Sequence, residues 1–344
     1  MVTNSALVGC SAHAPASLSD YGAASVAASE PCHEQMSQTH TRLVVAAAQM
    51  GPNQPGVTRA EVVARLVALL GRSADRGARL VVFPEFALTP FFPHWLITDD
   101  DELDAYFERD FPDPSLDPLF AAARERGVAF TLGYAELVRD GESYRRYNTA
   151  VLVSPSGRIV GRYRKIHLPG YTEPQPGHPF DNLEKRYFEV GDLGLPTWEL
   201  LGARVGMCIC NDRRWPETYR ILGLQGVEIV LVGYNTPYDN PALPETNRLA
   251  PFHNHLSMQA GAYQNGTWIV AAAKAGVEAG VHQIGGSCIV APSGELVAVA
   301  ASEDDEVVSA EIDLELARRY QRTLLNFPLN RQPQHYGAIV APNS

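Results

Sequence analysis

The chain has few of the residues and patterns that mark specialised protein classes. It holds five cysteines in 344 residues, an odd and scattered set: Cys10, Cys32, Cys208, Cys210 and Cys288. None stands in CxxC or mixed Cys/His ligand spacing, so neither a metal framework nor a disulfide scaffold is encoded, and a reducing, cytoplasmic setting is expected. No apolar run approaches the roughly 20 residues that span a bilayer, so no membrane partner is expected. No lysine or arginine precedes Arg42, which removes the basic start of a secretory signal and the arginines of a transit peptide. Residues 1–41, rich in Ala, Ser and His, are expected to form a disordered N-terminal extension. G-x-G-x-x-G, G-x-x-x-x-G-K-[ST] and G-x-S-x-G are all missing, so nucleotide-phosphate binding and a serine elbow have no motif behind them. Positive charge is in deficit, with 28 Lys+Arg against 39 Asp+Glu and a net charge of -11. General attraction to nucleic acid is thereby excluded, and an acidic ligand needs a local basic site.

What is present is a globular balance, 45% hydrophobic and 19% charged, in which short apolar β-branched runs alternate with helical spacing. LVVAAAQM (43–50), ARLVVFPE (78–85), VAFTLGYAEL (128–137), RVGMCIC (204–210), VEIVLVG (227–233), TWIVAAA (267–273) and VVSAEID (307–313) read as strands. Val62, Leu66, Leu69 and Leu70 mark one helix, and PLFAAARERG (118–127) another, closed by Gly127. Hairpins at 147–165 and 287–300 interrupt the strand–helix rhythm. No linker breaks the pattern, which predicts one α/β domain over residues 42–325, with two mixed sheets face to face and helices outside. NFPLNRQPQHYG, within residues 326–344, reads as an extended tail lying on the body or on a partner subunit.

Three strand ends deliver polar residues. Cys210 closes MCIC and is followed by Asn211, Asp212, Arg213 and Arg214; neighbouring cations and a following helix N-terminus favour a thiolate. Cys208, two residues back, falls on the same strand face and reads as core packing, as does Cys288. Glu85 ends VVFPE and has the character of a general base. Lys165, beside His167 in RYRKIHLPG, offers a fixed positive charge for a developing oxyanion. Each alone reads as ordinary, but in α/β proteins the carboxyl edge of the strands is where sites are built.

FPE (83–85), YRKIHLPG (163–170) and ICNDRRWPE (209–217) together resemble the nitrilase superfamily of carbon–nitrogen hydrolases. FPEFALTPFFPHW, LGYAEL, RYNTAVLV, LEKRYFEVGDLGLP, VGYNTP, SMQAGAYQNG and RQPQHYG are similar to its N-carbamoyl-D-amino-acid amidohydrolase branch, over residues 43–337. The resemblance implies a four-layer αββα sandwich and a Glu85–Lys165–Cys210 triad. It also implies a second glutamate, Glu184, in a segment that by itself reads as charged surface. No cofactor and no metal are implied, and a homo-oligomer, dimer or tetramer, is. The reaction implied is hydrolysis of an N-carbamoyl-D-amino acid to the amino acid, ammonia and carbon dioxide, through a thioester on Cys210. Glu85 serves as base, and Lys165 with a backbone N–H near Asn211 as oxyanion hole. Arg213 and Arg214 would clamp the substrate carboxylate, with Asn211, Asn235 and His167 as polar contacts.

The chain departs from that branch at Asn182, where a histidine is usual, in YTEPQPGHPFDN, at His255 and at HQIGG. All four are expected on the pocket wall, where they bear on substrate size and stereochemistry. Rival readings are an amidase for β-ureido acids, N-carbamoyl-L-amino acids or simple carboxamides, and a binding protein that kept the fold.

Overall fold

Strand β1 (Arg42–Gln49) sets the layering, because nearly all of it is buried although alternate side chains point to opposite faces. Val45 and Ala47 join the cluster between the sheets, whereas Ala46 and Ala48 join the cluster under the helices. A strand covered on both faces reads as a continuous apolar run, as LVVAAA does. The computed structural model describes residues 41–341. Cys10, Cys32, residues 342–344 and all of the expected extension except Thr41 lie outside the described residues.

The first sheet contains β1, β2 (Leu80–Val82), β3 (Ala129–Asp140), β4 (Ser143–Val153), β5 (Ile159–Arg164) and β14 (Glu306–Asp313). Its order is β14-β1-β2-β3-β4-β5, with β1, β2 and β3 parallel and the other pairs antiparallel. The second contains β6 (Thr197–Leu200), β7 (Ala203–Ile209), β8 (Ile229–Tyr234), β9 (Trp268–Ala273), β12 (Cys288–Val290) and β13 (Leu296–Val299), in the order β13-β12-β9-β8-β7-β6. It repeats the scheme, with β7, β8 and β9 parallel at its centre. β10 (Ala275–Glu278) and β11 (Val281–Ile284) form a separate hairpin. Two mixed sheets with helices outside make the α/β, αββα sandwich that the sequence predicts.

The helix Arg59–Asp75 opens on a capping box, Thr58 with Glu61. It lays Val62, Val63, Leu66, Leu69 and Leu70 on the first sheet beside Leu119, Phe120 and Ala123 of the helix Asp117–Arg126. The helices Pro216–Leu224 and Ala250–Asn265 cover the second sheet through Tyr219, Leu222, Met258 and Ala262. Gly206 of β7 admits Leu222, whose Cδ2 lies 2.8 Å from where a Cβ would stand. The sheets are stitched where β1 and β9 end, the Met50 N–H donating to the Ala273 carbonyl at 3.0 Å. No helix among the described residues is long and apolar enough to cross a membrane.

The tail departs from the extended form expected of it. It coils into single turns at Phe327–Asn330, Pro333–His335 and Gly337–Val340. Pro328 and Pro333 start the first two, and the Asn326 side chain caps the first by accepting from the Leu329 N–H.

Candidate active site

β2 stops at Val82, and the chain then crosses the seam between the two sheets. The space is narrow: a Cβ on Gly133 of β3 would stand 2.7 Å from the Glu85 Cα, and one on Gly233 of β8 would stand 2.8 Å from the Glu85 nitrogen. Two glycines, one per sheet, therefore bracket Glu85. The next residue, Phe86, takes a positive φ of 45°, a left-handed conformation that non-glycine residues adopt at a cost.

The Glu85 carboxylate is fully buried. Its Oε1 accepts from Lys165 Nζ at 2.8 Å and from Asn148 Nδ2 at 2.7 Å, and its Oε2 accepts from the Asn235 N–H at 3.0 Å. Lys165 leaves β5 with its N–H on the Asn148 carbonyl at 2.8 Å and donates a second bond to Glu184 Oε2 at 2.6 Å. Glu184 opens the single helical turn Glu184–Tyr187, which turns Glu184 and Tyr187 inward and Lys185 and Arg186 outward. Burial alone would strip the proton from Lys165, but Glu184 and Glu85 hold its pKa above the ordinary lysine value. Burial also pushes the Glu184 carboxyl up to about 7, against the pull of Lys165.

Cys210 faces this cluster from the second sheet. β7 ends at Ile209, and Cys210 starts a 3₁₀ turn through Arg214 with φ of 45°, so strand alternation does not extend to it. Cys208 stays in the strand, buried in the core as expected. Asp212 pins the turn: its Oδ2 accepts from the Ile209 N–H and the Tyr163 hydroxyl, and its Oδ1 from the His167 N–H. The Cys210 thiol donates to the Asn235 carbonyl at 3.0 Å. The low thiol pKa expected from the neighbouring cations is not what the site produces. Burial, then Glu85, push the pKa up, and Lys165 and Arg213 only partly offset them. Burial thus favours the protonated thiol, and a nucleophilic role for it would call for a base.

Glu85, Lys165, Glu184, Cys210 and Asn235 meet at the seam. His167 and Asn211 stand on its flank, joined by a bond from Asn211 Nδ2 to the His167 carbonyl, and line a small cavity of about 360 Å³ with Trp215. The arginine pair divides. Arg213, expected to reach the substrate, is 1% exposed. Its guanidinium donates to Asn254 Oδ1, Thr236 Oγ1 and the Cys210 carbonyl, and lies over the Tyr234 ring. Fully used inside the protein, it supports the turn. Arg214 is exposed and lines a cavity of about 640 Å³ with Tyr171, His178, Phe180, Asn182 and Tyr238. Among the described residues it has no hydrogen-bond or ion-pair partner.

Of the departures, Asn182 and, from the 171–182 segment, Tyr171, His178, Phe180 and Asp181 line the cavity, but His255 and HQIGG do not. His255 Nε2 instead lies 3.0 Å from the Gly286 carbonyl, behind the site. Asn148, Asp212, Tyr163 and Asn254 are absent from the sequence-derived set. RYNTAVLV held a signal for Asn148, a polar residue inside an apolar strand; Asp212 was hidden in a polar run. Among the described residues no three His, Cys, Asp or Glu side chains gather where a metal could sit.

The family model for carbon–nitrogen hydrolases matches residues 44–322. A nitrilase of Pyrococcus abyssi is 32% identical over 258 residues, 75% of this chain and 86% of its own. A citrullinase of Francisella tularensis is 28% identical over 82% of this chain and 93% of its own, and an N-carbamoylputrescine amidase of Solanum lycopersicum 28% over 81% and 89%. Among solved structures, a carbon–nitrogen hydrolase from Helicobacter pylori superposes with a TM-score of 0.73 at 24% identity, covering 88% of this chain and all of that one.

Proposed function

Because the chain belongs to the carbon–nitrogen hydrolase family, we propose that it hydrolyses the ureido group of N-carbamoyl-D-amino acids through a thioester on Cys210. Glu85 takes the thiol proton as Sγ attacks the ureido carbonyl. Lys165 and a backbone N–H beside Asn211 receive the charge that develops on oxygen. Glu85 returns the proton to one nitrogen; that C–N bond breaks and ammonia or amine departs, leaving a carbamoyl thioester. Glu85 then activates a water that cleaves the C–S bond, restores the thiol and releases a carbamic acid, which loses carbon dioxide. Glu184 keeps Lys165 charged and in place.

The observation that carries this reading is Arg214, an uncommitted guanidinium on the cavity wall four residues from the cysteine. Guanidinium suits bidentate capture of a carboxylate, and a simple amide or nitrile has no use for it. The names of two relatives, a citrullinase and an N-carbamoylputrescine amidase, agree with ureido chemistry. A second reading, an N-carbamoyl amine with a cationic end, is favoured by Asp181 and Asp239 on the same wall.

Ammonia release from a panel of N-carbamoyl-D- and L-amino acids, β-ureido acids, N-carbamoyl amines and primary amides separates these readings. The D-ureido acids are expected to lead, and Arg214→Gln to raise their KM about tenfold or more without raising it for neutral ureas. Equal turnover of amides and ureido acids, or a carboxylate preference that survives Arg214→Gln, defeats the proposal.

A further inference from the structure

RYNTAVLV contributes a residue that the mechanism above does not use. Asn148 sits in the middle of β4 and is 1% exposed. Its Nδ2 donates to Glu85 Oε1 at 2.7 Å and to Glu184 Oε2 at 3.3 Å. These are the two oxygens that Lys165 Nζ also holds, at 2.8 and 2.6 Å. Lysine and asparagine thus close a ring around two carboxylates that would otherwise repel each other. The Asn148 carbonyl also fixes the Lys165 backbone. The amide oxygen Oδ1 of Asn148 has no partner among the described residues, although leaving such a group unpaired costs about 1–3 kcal/mol. What the position supplies is an N–H donor shared by the two carboxylates.

We propose that Asn148 is a positioning residue for the base, orienting Glu85 toward Cys210 and holding Glu184 in register with Lys165 through an uncharged donor. The inference rests on reading Cys210 and Glu85 as nucleophile and base. A neutral donor suits the position because Lys165 already bonds both carboxylates and Arg213 lies beside the thiol, two cations in all. A third would overstabilise the carboxylate that must accept the proton.

The test is the rate of Cys210 alkylation by iodoacetamide in the full chain across pH, with labelled residues found by mass spectrometry, alongside kcat and KM. Asn148→Ala is expected to slow labelling of Cys210 and lower kcat by about tenfold or more, with KM within about threefold, and to displace the acid limb of the labelling profile. Asn148→Asp, isosteric, replaces the donor with a third carboxylate and is expected to lower both further and move the limb upward. Unchanged rates and limb in either folded variant overturn the proposal. So does a loss accounted for by fewer folded molecules, judged by circular dichroism and the number of reactive thiols. If Cys210 of the unaltered protein is not selectively labelled, the nucleophile reading fails first, and the proposal with it.

Discussion

Arg213 and Arg214 are neighbours in sequence with opposite environments, because a 3₁₀ turn advances about 120° per residue. Arg213 swings under the turn and Arg214 out to the cavity. Arg213→Lys is therefore expected to cost about 2–4 kcal/mol, since lysine cannot satisfy Asn254, Thr236 and the Cys210 carbonyl together. Its kcat should fall for every substrate, with or without a carboxylate; a thermal melt and the substrate panel check both. Cys210→Ala removes the proposed nucleophile from a position already shaped by its backbone. Turnover is expected to drop by at least about a thousandfold, with the melting temperature within about 3 °C of the parent. Substantial turnover in that variant would remove Cys210 from the mechanism.

At the scale of elements, the two glycines around Glu85 control how closely strand ends can approach. Gly133→Ala would drive a methyl group onto backbone atoms of Pro84 and Glu85, which cannot rotate away. The expected result is a loss of about 1–3 kcal/mol in a urea melt and a fall in kcat larger than the change in KM. Gly71→Ala is the contrast: it lies in the helix Arg59–Asp75 with nothing within 4 Å of the new methyl, and should stabilise by about 0.5–1 kcal/mol. The long apolar strands were legible because burial on both faces leaves an unbroken β-branched signal. β6, TWEL, and the hairpin β10–β11, with its glycines and charges, lack that signal and take their form from their neighbours. The same limit governs the site. Glu85 and Cys210 stood out because each follows an apolar run, and Lys165 because it stands at the end of a strand, in RYRKIHLPG. Glu184 and Asn148 did not, since only the fold brings LEKR under Lys165 and decides which face of β4 meets the seam. The turn type that parts the two arginines is likewise set by Asp212 and its three donors, which sequence spacing does not encode.

For the molecule as a whole, stability should depend on acid through His94. The ring is buried, with Nδ1 on the Asp181 carbonyl at 2.8 Å, and burial holds its pKa down at about 4. Between about pH 6.5 and 4 the unfolded chain takes up a proton that the fold refuses, so stability is present above that window and lost as pH falls through it. The full loss is roughly 3 kcal/mol. Glu184, raised by burial, acts with the opposite sign, adding stability as pH falls below about 7. His94→Gln is expected to flatten the acid slope in melts recorded across this window; an unchanged slope would assign it to other groups.

The stitching of the two sheets at Met50 and Ala273, next to the Glu85 crossing, has a temporal consequence. Glu85 and Lys165 follow strands of one sheet and Cys210 and Asn235 strands of the other, so on the proposed mechanism neither half carries chemistry before the halves dock. During refolding, far-ultraviolet dichroism reports strands and helices as they form, whereas a base-activated thiol exists only once the seam has closed. Cys210 is thus a built-in clock for the last step of assembly, and its reactivity should return after the secondary structure, in one phase with activity.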